Sequence, residues 1–327
     1  MTSIRLSLQS IQPRRGIALL ALVFGFALSA LLGYELYRDR AATIDAAYAT
    51  TQNLARLLEE HARQSLRRIE LLSLEAAQEI NAAGGPASAD PAALRQRLRA
   101  RLPADRLIRA FVLIGPTGAG MLSTLDHVER HLPTVAERDF FSAQRERADL
   151  GIVFGAPVKS AVDDKWLLPV SVRLAEPAGV FQGVLVALVD PATIQGFYAS
   201  IDTSKEGFVT LFLRAGWIAA RAPFDERVMS RNWRDSPLFI QHIPRAPEAT
   251  VRQVVAADGL ERLYSYRALK EYPFIVSVGV SLTDALAGLR ERAWRGSVLL
   301  LLSLAILSVA QMALLRQLGR RETAERR

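Results

Sequence analysis

The sequence predicts an α+β chain: two tandem modules, each a five-stranded antiparallel sheet with helices, after one long helix and between two membrane-crossing helices. Three observations carry this reading. Gly16 to Tyr34 and Gly296 to Leu315 contain no charged residue, and each is close to the roughly 20 residues that cross a bilayer core. Between them, one order of hairpin, helix and three strands occurs twice. In Trp166 to Leu174, Trp166, Leu168, Val170, Val172 and Leu174 alternate with Ser171 and Arg173, the period-2 pattern of a half-buried antiparallel strand.

Composition narrows the function before any motif does. There is no cysteine among the 327 residues, so no disulfide, thiol nucleophile or cysteine-based metal site exists. The histidines are His61, His127, His131 and His242. His127 and His131 have helical spacing, but Pro133 follows and no glutamate lies between them as a zinc-protease helix requires. No metal, cofactor or catalytic group is expected. The net charge of +8 sits mostly in the tails, where Arg5, Arg14, Arg15, Arg316, Arg320, Arg321, Arg326 and Arg327 face only Glu322 and Glu325. That is the positive-inside pattern of a membrane protein and not a nucleic-acid surface.

Taken in order, residues 1–15 read as a cytoplasmic tail and 16–36 as the first transmembrane helix, too long for the apolar region of a cleavable signal. From Tyr37 to about Ile80 no proline or glycine interrupts. Leu54, Leu58, His61, Ser65, Ile69, Leu72, Ala76 and Ile80 form one helical stripe, packed on its own domain or serving as a parallel dimer seam. Gly84-Gly85-Pro86 ends that helix, and Asp90-Pro91 reads as an N-cap with proline at the first position of a helix over Ala92 to Leu102. Phe111 to Thr124 is a strand, glycine turn and strand, then a helix over Ala136 to Arg147 and three strands within Gly151 to Asp190. The order returns with a hairpin over Phe208 to Arg221 and a helical segment over Phe224 to Ile240. Strands at Thr250 to Ala256, Leu260 to Leu269 and Phe274 to Val280 complete it, the first two joined through Ala257-Asp258-Gly259. The first module with its long helix occupies 37–198 and the second 199–281. A signalling helix spans 282–295, opened by a capping box from Ser281, then the second transmembrane helix at 296–315 and a cytoplasmic tail at 316–327.

The segments Arg-Asp-Phe-Phe from Arg138, Gly-x-Pro-Val from Gly155, Lys-Trp-x-x-Pro-Val from Lys165 and Gly-Val-x-Val-Ala-Leu-Val-Asp ending at Asp190 resemble double Cache sensor domains. These are tandem PAS-like input regions of membrane diguanylate cyclases and histidine kinases, and the likeness covers about Ala41 to Ser281. It implies a ligand site in the membrane-distal module. Arg138, Phe140 and Phe141 match the arginine-aromatic segment, and Asp190 an acidic position that meets the ligand amine in amino-acid-binding members. This sequence has Phe140 and Phe141 where tryptophan and tyrosine are expected, which removes a hydroxyl used in amino-acid recognition. By residue chemistry, Arg138 suits a carboxylate, Lys165 and Arg173 add positive charge, and Trp166 supplies a flat wall. The same residues have structural readings: Arg138 bridging Asp139 or Glu137, Trp166 in the core, and Asp190 capping a helix that begins at Pro191.

The function expected is an inner-membrane, multi-pass sensor with a periplasmic domain. It binds a small anionic molecule, forms a homodimer and passes the signal to a cytoplasmic output of cyclase or kinase type. No cyclase signature and no phosphoacceptor histidine follows Leu315, so the chain reads as a non-enzymatic stand-alone sensor, a truncated product or the input region of something longer. The alternative is a two-span polysaccharide chain-length regulator, which would be mainly helical in its distal part. A periplasmic hydrolase ranks below both, since no Gly-x-Ser-x-Gly elbow or histidine-centred triad is present.

Overall fold

The computed structural model describes residues 13–86, 90–125, 134–160, 163–176, 178–255 and 259–325. His127, His131 and the turn residues Ala257 and Asp258 lie outside them. The chain divides into two compact units, Tyr48–Ser281 and the pair Met1–Ala47 with Leu282–Arg327.

In the second of these, helix α1 (Pro13–Ala82) begins and helix α7 (Ala287–Glu325) runs alongside it. Glycines set the approach: a Cβ on Gly25 would meet Leu304 at 3.0 Å, and one on Gly296 would meet Leu32 at 3.0 Å. Arg292 and Asp39 pair at 3.6 Å. Leu20, Phe26, Leu301 and Ile306 turn outward, and both helices are long and apolar enough to cross a membrane.

The Tyr48–Ser281 unit holds two antiparallel sheets. The first has order β2-β1-β6-β5-β3, from β1 (Ile108–Ile114), β2 (Gly120–Ser123), β3 (Ile152–Phe154), β5 (Trp166–Ala175) and β6 (Phe181–Val189), with β4 (Val158–Lys159) also on β5. The second has order β8-β7-β11-β10-β9, from β7 (Phe208–Leu213), β8 (Ile218–Ala222), β9 (Glu248–Val254), β10 (Glu261–Ala268) and β11 (Phe274–Ser281). The strand orders are the same permutation, so the sequence repeat is a repeat of topology.

One face of both sheets packs on α1 through Thr51, Ala55, Leu58, Ala62, Leu66, Ile69, Ser73, Ala76 and Ile80, all buried. Steps of three and four residues keep these on one side of a 3.6-residue helix. The expected stripe is thus rotated slightly: Leu58, Ile69, Ala76 and Ile80 are in it, while His61 and Ser65 flank it half-buried. Helix α2 (Pro91–Ala100) starts with Pro91 behind Asp90, whose carboxylate accepts from the Ala92 and Ala93 amides at 3.3 Å.

Three elements differ from the sequence expectation. The first strand after Gly151 breaks into β3 and β4 because helix α3 (Asp139–Glu146) crosses it at Gly155, where a Cβ would lie 2.7 Å from the Phe140 ring. The helical segment after Phe224 is α5 (Glu226–Met229) and a separate π-helical turn (Leu238–His242). Ser281 closes β11 and donates to Glu206 Oε2 at 2.8 Å. The helix that follows is split at Leu286 into α6 (Leu282–Ala285) and α7, although Leu286 and Arg290 keep i to i−4 bonds.

His61 illustrates how α1 is held. Its ring stacks on Phe197 at 3.7 Å and meets Tyr198 edge-on at 6.0 Å, both on helix α4 (Pro191–Ala199). Burial holds the imidazole below its ordinary value of 6.5, so the unfolded chain takes up the proton first as pH falls. This contribution is therefore fully present above about pH 6.5 and shrinks as pH drops through that value toward the folded one. His61→Phe, which keeps the stacking, is expected to flatten that part of the melting-temperature curve between about pH 7.5 and 5; identical slopes in both proteins would refute it.

Candidate functional site

Helix α3 lies across the face of the first sheet opposite α1. Phe140 and Phe141 are 4% and 0% exposed and pack with Val112, Ile114, Val184 and Val186. Ser171 Oγ donates to the Phe140 carbonyl at 2.8 Å, and Gln144 Nε2 donates to the Ser171 carbonyl at 3.0 Å. The face of β5 that alternation alone assigns to solvent is therefore buried under this helix. Asp139 fixes the helix start, accepting from its neighbour Phe140 N at 2.8 Å and from Ala156 N at 2.9 Å.

Beside this helix, on the same face, is a cavity of about 200 Å³. Its walls are apolar, from Ile114, Phe140, Leu167, Val186 and Leu188 among others, and its polar groups are Arg138, Lys159, Ser123, Ser160 and Thr134. Arg138 is the residue before the first turn of α3 and is exposed. With Asp139 held by backbone amides, no carboxylate among the described residues pairs with it. Lys159, at the end of β4, sits 5.4 Å above the Trp166 ring, 3.5 Å from Asp164 and in an ion pair with Glu226 of α5. The Glu226 carboxylate, then Asp164, holds the Lys159 ammonium above its ordinary range.

The seven expected site residues fall in three places. Arg138 and Phe140 line the cavity. Lys165, Trp166 and Asp190 line a separate groove of about 260 Å³ with Phe224 and Glu226; there Asp190 Oδ1 accepts from Ala192 N at 2.9 Å as the N-cap of α4. Phe141 and Arg173 lie elsewhere. Phe141 meets Phe181 edge-on at 5.7 Å. Arg173 spans the last carbonyls of α3, donating to Gln144 and Arg145, and stacks over Phe181 at 4.7 Å, an ordinary role for a cation at a helix C-terminus. Sequence reasoning missed Lys159, although it directly follows the Gly155-Ala156-Pro157-Val158 segment; its short strand carried no period to mark which way it faces.

The geometry has solved counterparts. The extracellular domain of rpHK1S-Z16, described as a histidine kinase, superposes with a TM-score of 0.67 at 22% identity over 75% of this chain and 98% of that one. The double Cache fold is thus the fold of this chain. The Cache region is also similar to the periplasmic sensory domain of the Campylobacter jejuni chemoreceptor Tlp1, with a TM-score of 0.59 and 11% identity over 75% and 98% of the two chains. The ligand-binding domain of Mlp24, solved with asparagine, gives a TM-score of 0.53 and 15% identity over 77% and 98%. Residues 192–279, most of the second Cache module, match a family profile described as a dCache_1-like histidine kinase sensor domain. No curated protein sequence matches the chain significantly.

Proposed function

We propose that this chain is a membrane-anchored sensor. Its first Cache module binds a small carboxylate in the cavity between α3 and the first sheet, and the two apolar helices carry the response to a cytoplasmic kinase or cyclase output. Both termini are cytoplasmic in this reading, the Cache region is periplasmic, and the working form is a homodimer. The observation that supports it most is the cavity itself: apolar walls with Arg138 and Lys159 in its lining. That is the usual construction of a small-molecule site, a few directing polar groups in a largely apolar hollow, and an arginine suits a planar carboxylate through paired donors. Asp190 caps α4 outside the cavity, so among the described lining residues no carboxylate is present for the amine of an amino acid. A simple carboxylate fits better. The two sheets also argue against a chain-length regulator, whose distal part would be mainly helical.

The test is a thermal-shift screen of mono- and dicarboxylates on the full chain in nanodiscs. A binder at 100 times its Kd should contribute about 2.7 kcal/mol of stability. Arg138→Ala should lose most of the shift yet keep its unliganded melting temperature within about 1–2 °C, because an exposed side chain away from the core contributes little to stability. A variant that melts far below wild type without ligand would make the arginine structural and end the assignment.

A further inference from the structure

The first-module cavity has a polar group in its floor as well as in the segment that covers it. Strands β2, β1, β6 and β5 pair so that Ser123 stands opposite Val112, Val112 opposite Val186, and Val186 opposite Ser171. Residues directly opposite on neighbouring strands share one face of a sheet. These four therefore form a single row across the face on which α3 lies, and all four are buried. The two serines at the ends of the row are spent differently. Ser171 lies under α3 and donates to the Phe140 carbonyl at 2.8 Å. Ser123 lines the cavity with Val112 and Val186, whereas Ser171 does not. Ser123 Oγ accepts from Leu125 N at 3.1 Å, but no acceptor among the described residues takes its hydrogen. A buried hydroxyl ordinarily finds a partner for that hydrogen.

We infer that Ser123 is a specificity-determining residue of this cavity: it donates to an uncharged oxygen on the body of the ligand, which makes the ligand a hydroxy or oxo monocarboxylic acid. This rests on the carboxylate reading of the same cavity, in which Arg138 takes the carboxylate. The chemistry of the floor selects the second oxygen. The other floor residues in the lining are apolar, Val112, Ile114, Val186 and Leu188. A second carboxylate set there would exchange its water for one neutral donor among hydrocarbon side chains, a poor exchange for a full charge. A hydroxyl or carbonyl oxygen gives up much less water, and one donor suffices for it. A plain alkanoate has no acceptor to offer and leaves the Ser123 hydrogen buried and unmet, which is how a site built to hydrogen-bond a ligand rejects the analogue that lacks the group.

Matched pairs of acids test this by calorimetric titration of the full chain in nanodiscs: sodium lactate and pyruvate against propionate, and β-hydroxybutyrate and acetoacetate against butyrate. Within at least one set, the wild-type chain should bind the oxygen-bearing acid about 3- to 10-fold more tightly than its parent, the scale of one neutral hydrogen bond. Ser123→Ala should bring that ratio to about one while leaving affinity for the parent alkanoate within about two-fold, which also shows that the cavity is intact. If Ser123→Ala does not fold, Ser123→Cys decides in its place, because a thiol is a weak donor and should lose most of the preference. A wild-type chain without preference in either set overturns the inference. So does a preference that survives Ser123→Ala, or Ser123→Cys where that variant stands in; water or another group then meets the serine. Failure of the carboxylate reading has a different signature: none of these acids binds, or all bind equally well to Arg138→Ala, and the inference then falls with it.

Discussion

A four-glycine insertion after Gly288 is expected to abolish ligand-dependent output when the chain is fused to a cytoplasmic kinase or cyclase domain, while ligand affinity stays within about two-fold of wild type. From β11 the chain passes into α6 and, after the single residue Leu286, into the 39 residues of α7. The i to i−4 bonds from Leu286 and Arg290 carry the helical register across that residue. At 1.5 Å per residue α7 is about 58 Å long, so a shift or rotation entering at Ala287 reaches the far end without loss only while the helix is unbroken. Four glycines cost about 4 kcal/mol of helix propensity and supply a swivel. Gly288→Ala is the matched control. A Cβ there meets nothing within 4 Å and favours the helix, so its output should equal or exceed wild type. A fusion whose response survives the insertion would show that the signal leaves by another route.

Lys159→Glu should reduce affinity for a carboxylate in the first-module cavity by about 10- to 100-fold, the usual scale for reversing a partly exposed cation that faces an anion. The informative companion is Glu226→Gln. In the unliganded protein Lys159 is held by Glu226 and Asp164, and an anion in the cavity must compete with them. Removing the Glu226 charge should leave Lys159 freer for the ligand, so affinity should rise several-fold where Lys159→Glu makes it fall. Titration of both variants decides this. Equal affinities in wild type and Glu226→Gln would mean that Lys159 does not take part. Glu226 belongs to α5 of the second Cache module, so on the proposed reading this competition would link the cavity electrostatically to that module. A ligand shifts only an equilibrium between states it distinguishes, and on the proposed reading Lys159 would have two such states: paired with Glu226 or paired with ligand.

Much of this architecture is legible in the residues because local chemistry and global fold agree. Asp90-Pro91 and Asp190-Pro191 cap helices in the structure as their sequence suggests, and the order of hairpin, helix and three strands reappears as one strand permutation used twice. What is not legible depends on approach between distant segments. Ser171 reads as a solvent-side residue of an alternating strand, yet it is 0% exposed, because α3 folds back over that face and takes its hydroxyl. The break between β3 and β4 follows from the same approach at Gly155. Of the seven residues named from the sequence, only Arg138 and Phe140 line the candidate cavity. Arg138 and Phe140 lie in one short motif at the start of α3, whereas Lys159 enters from a two-residue strand with no pattern to read.

The packing of α1 bears on how the protein loses its structure. The buried stripe from Ala55 to Ile80 belongs to one continuous cluster that takes in Leu168, Val170 and Leu185 of the first sheet and Val209, Leu211 and Val276 of the second. Phe154 of the first module meets Phe274 of the second at 4.9 Å, and Tyr272 donates to Glu70 on α1 at 2.6 Å. Neither module has a private hydrophobic interior on that side. Two modules with separate cores would melt as separate steps, but a shared core makes the loss of either one expose apolar surface of the other. The Cache pair is therefore a single cooperative unit, in which opening one module also carries the free-energy cost of uncovering its neighbour. Damage to the first module is then felt in the second even where no residue of the second is changed.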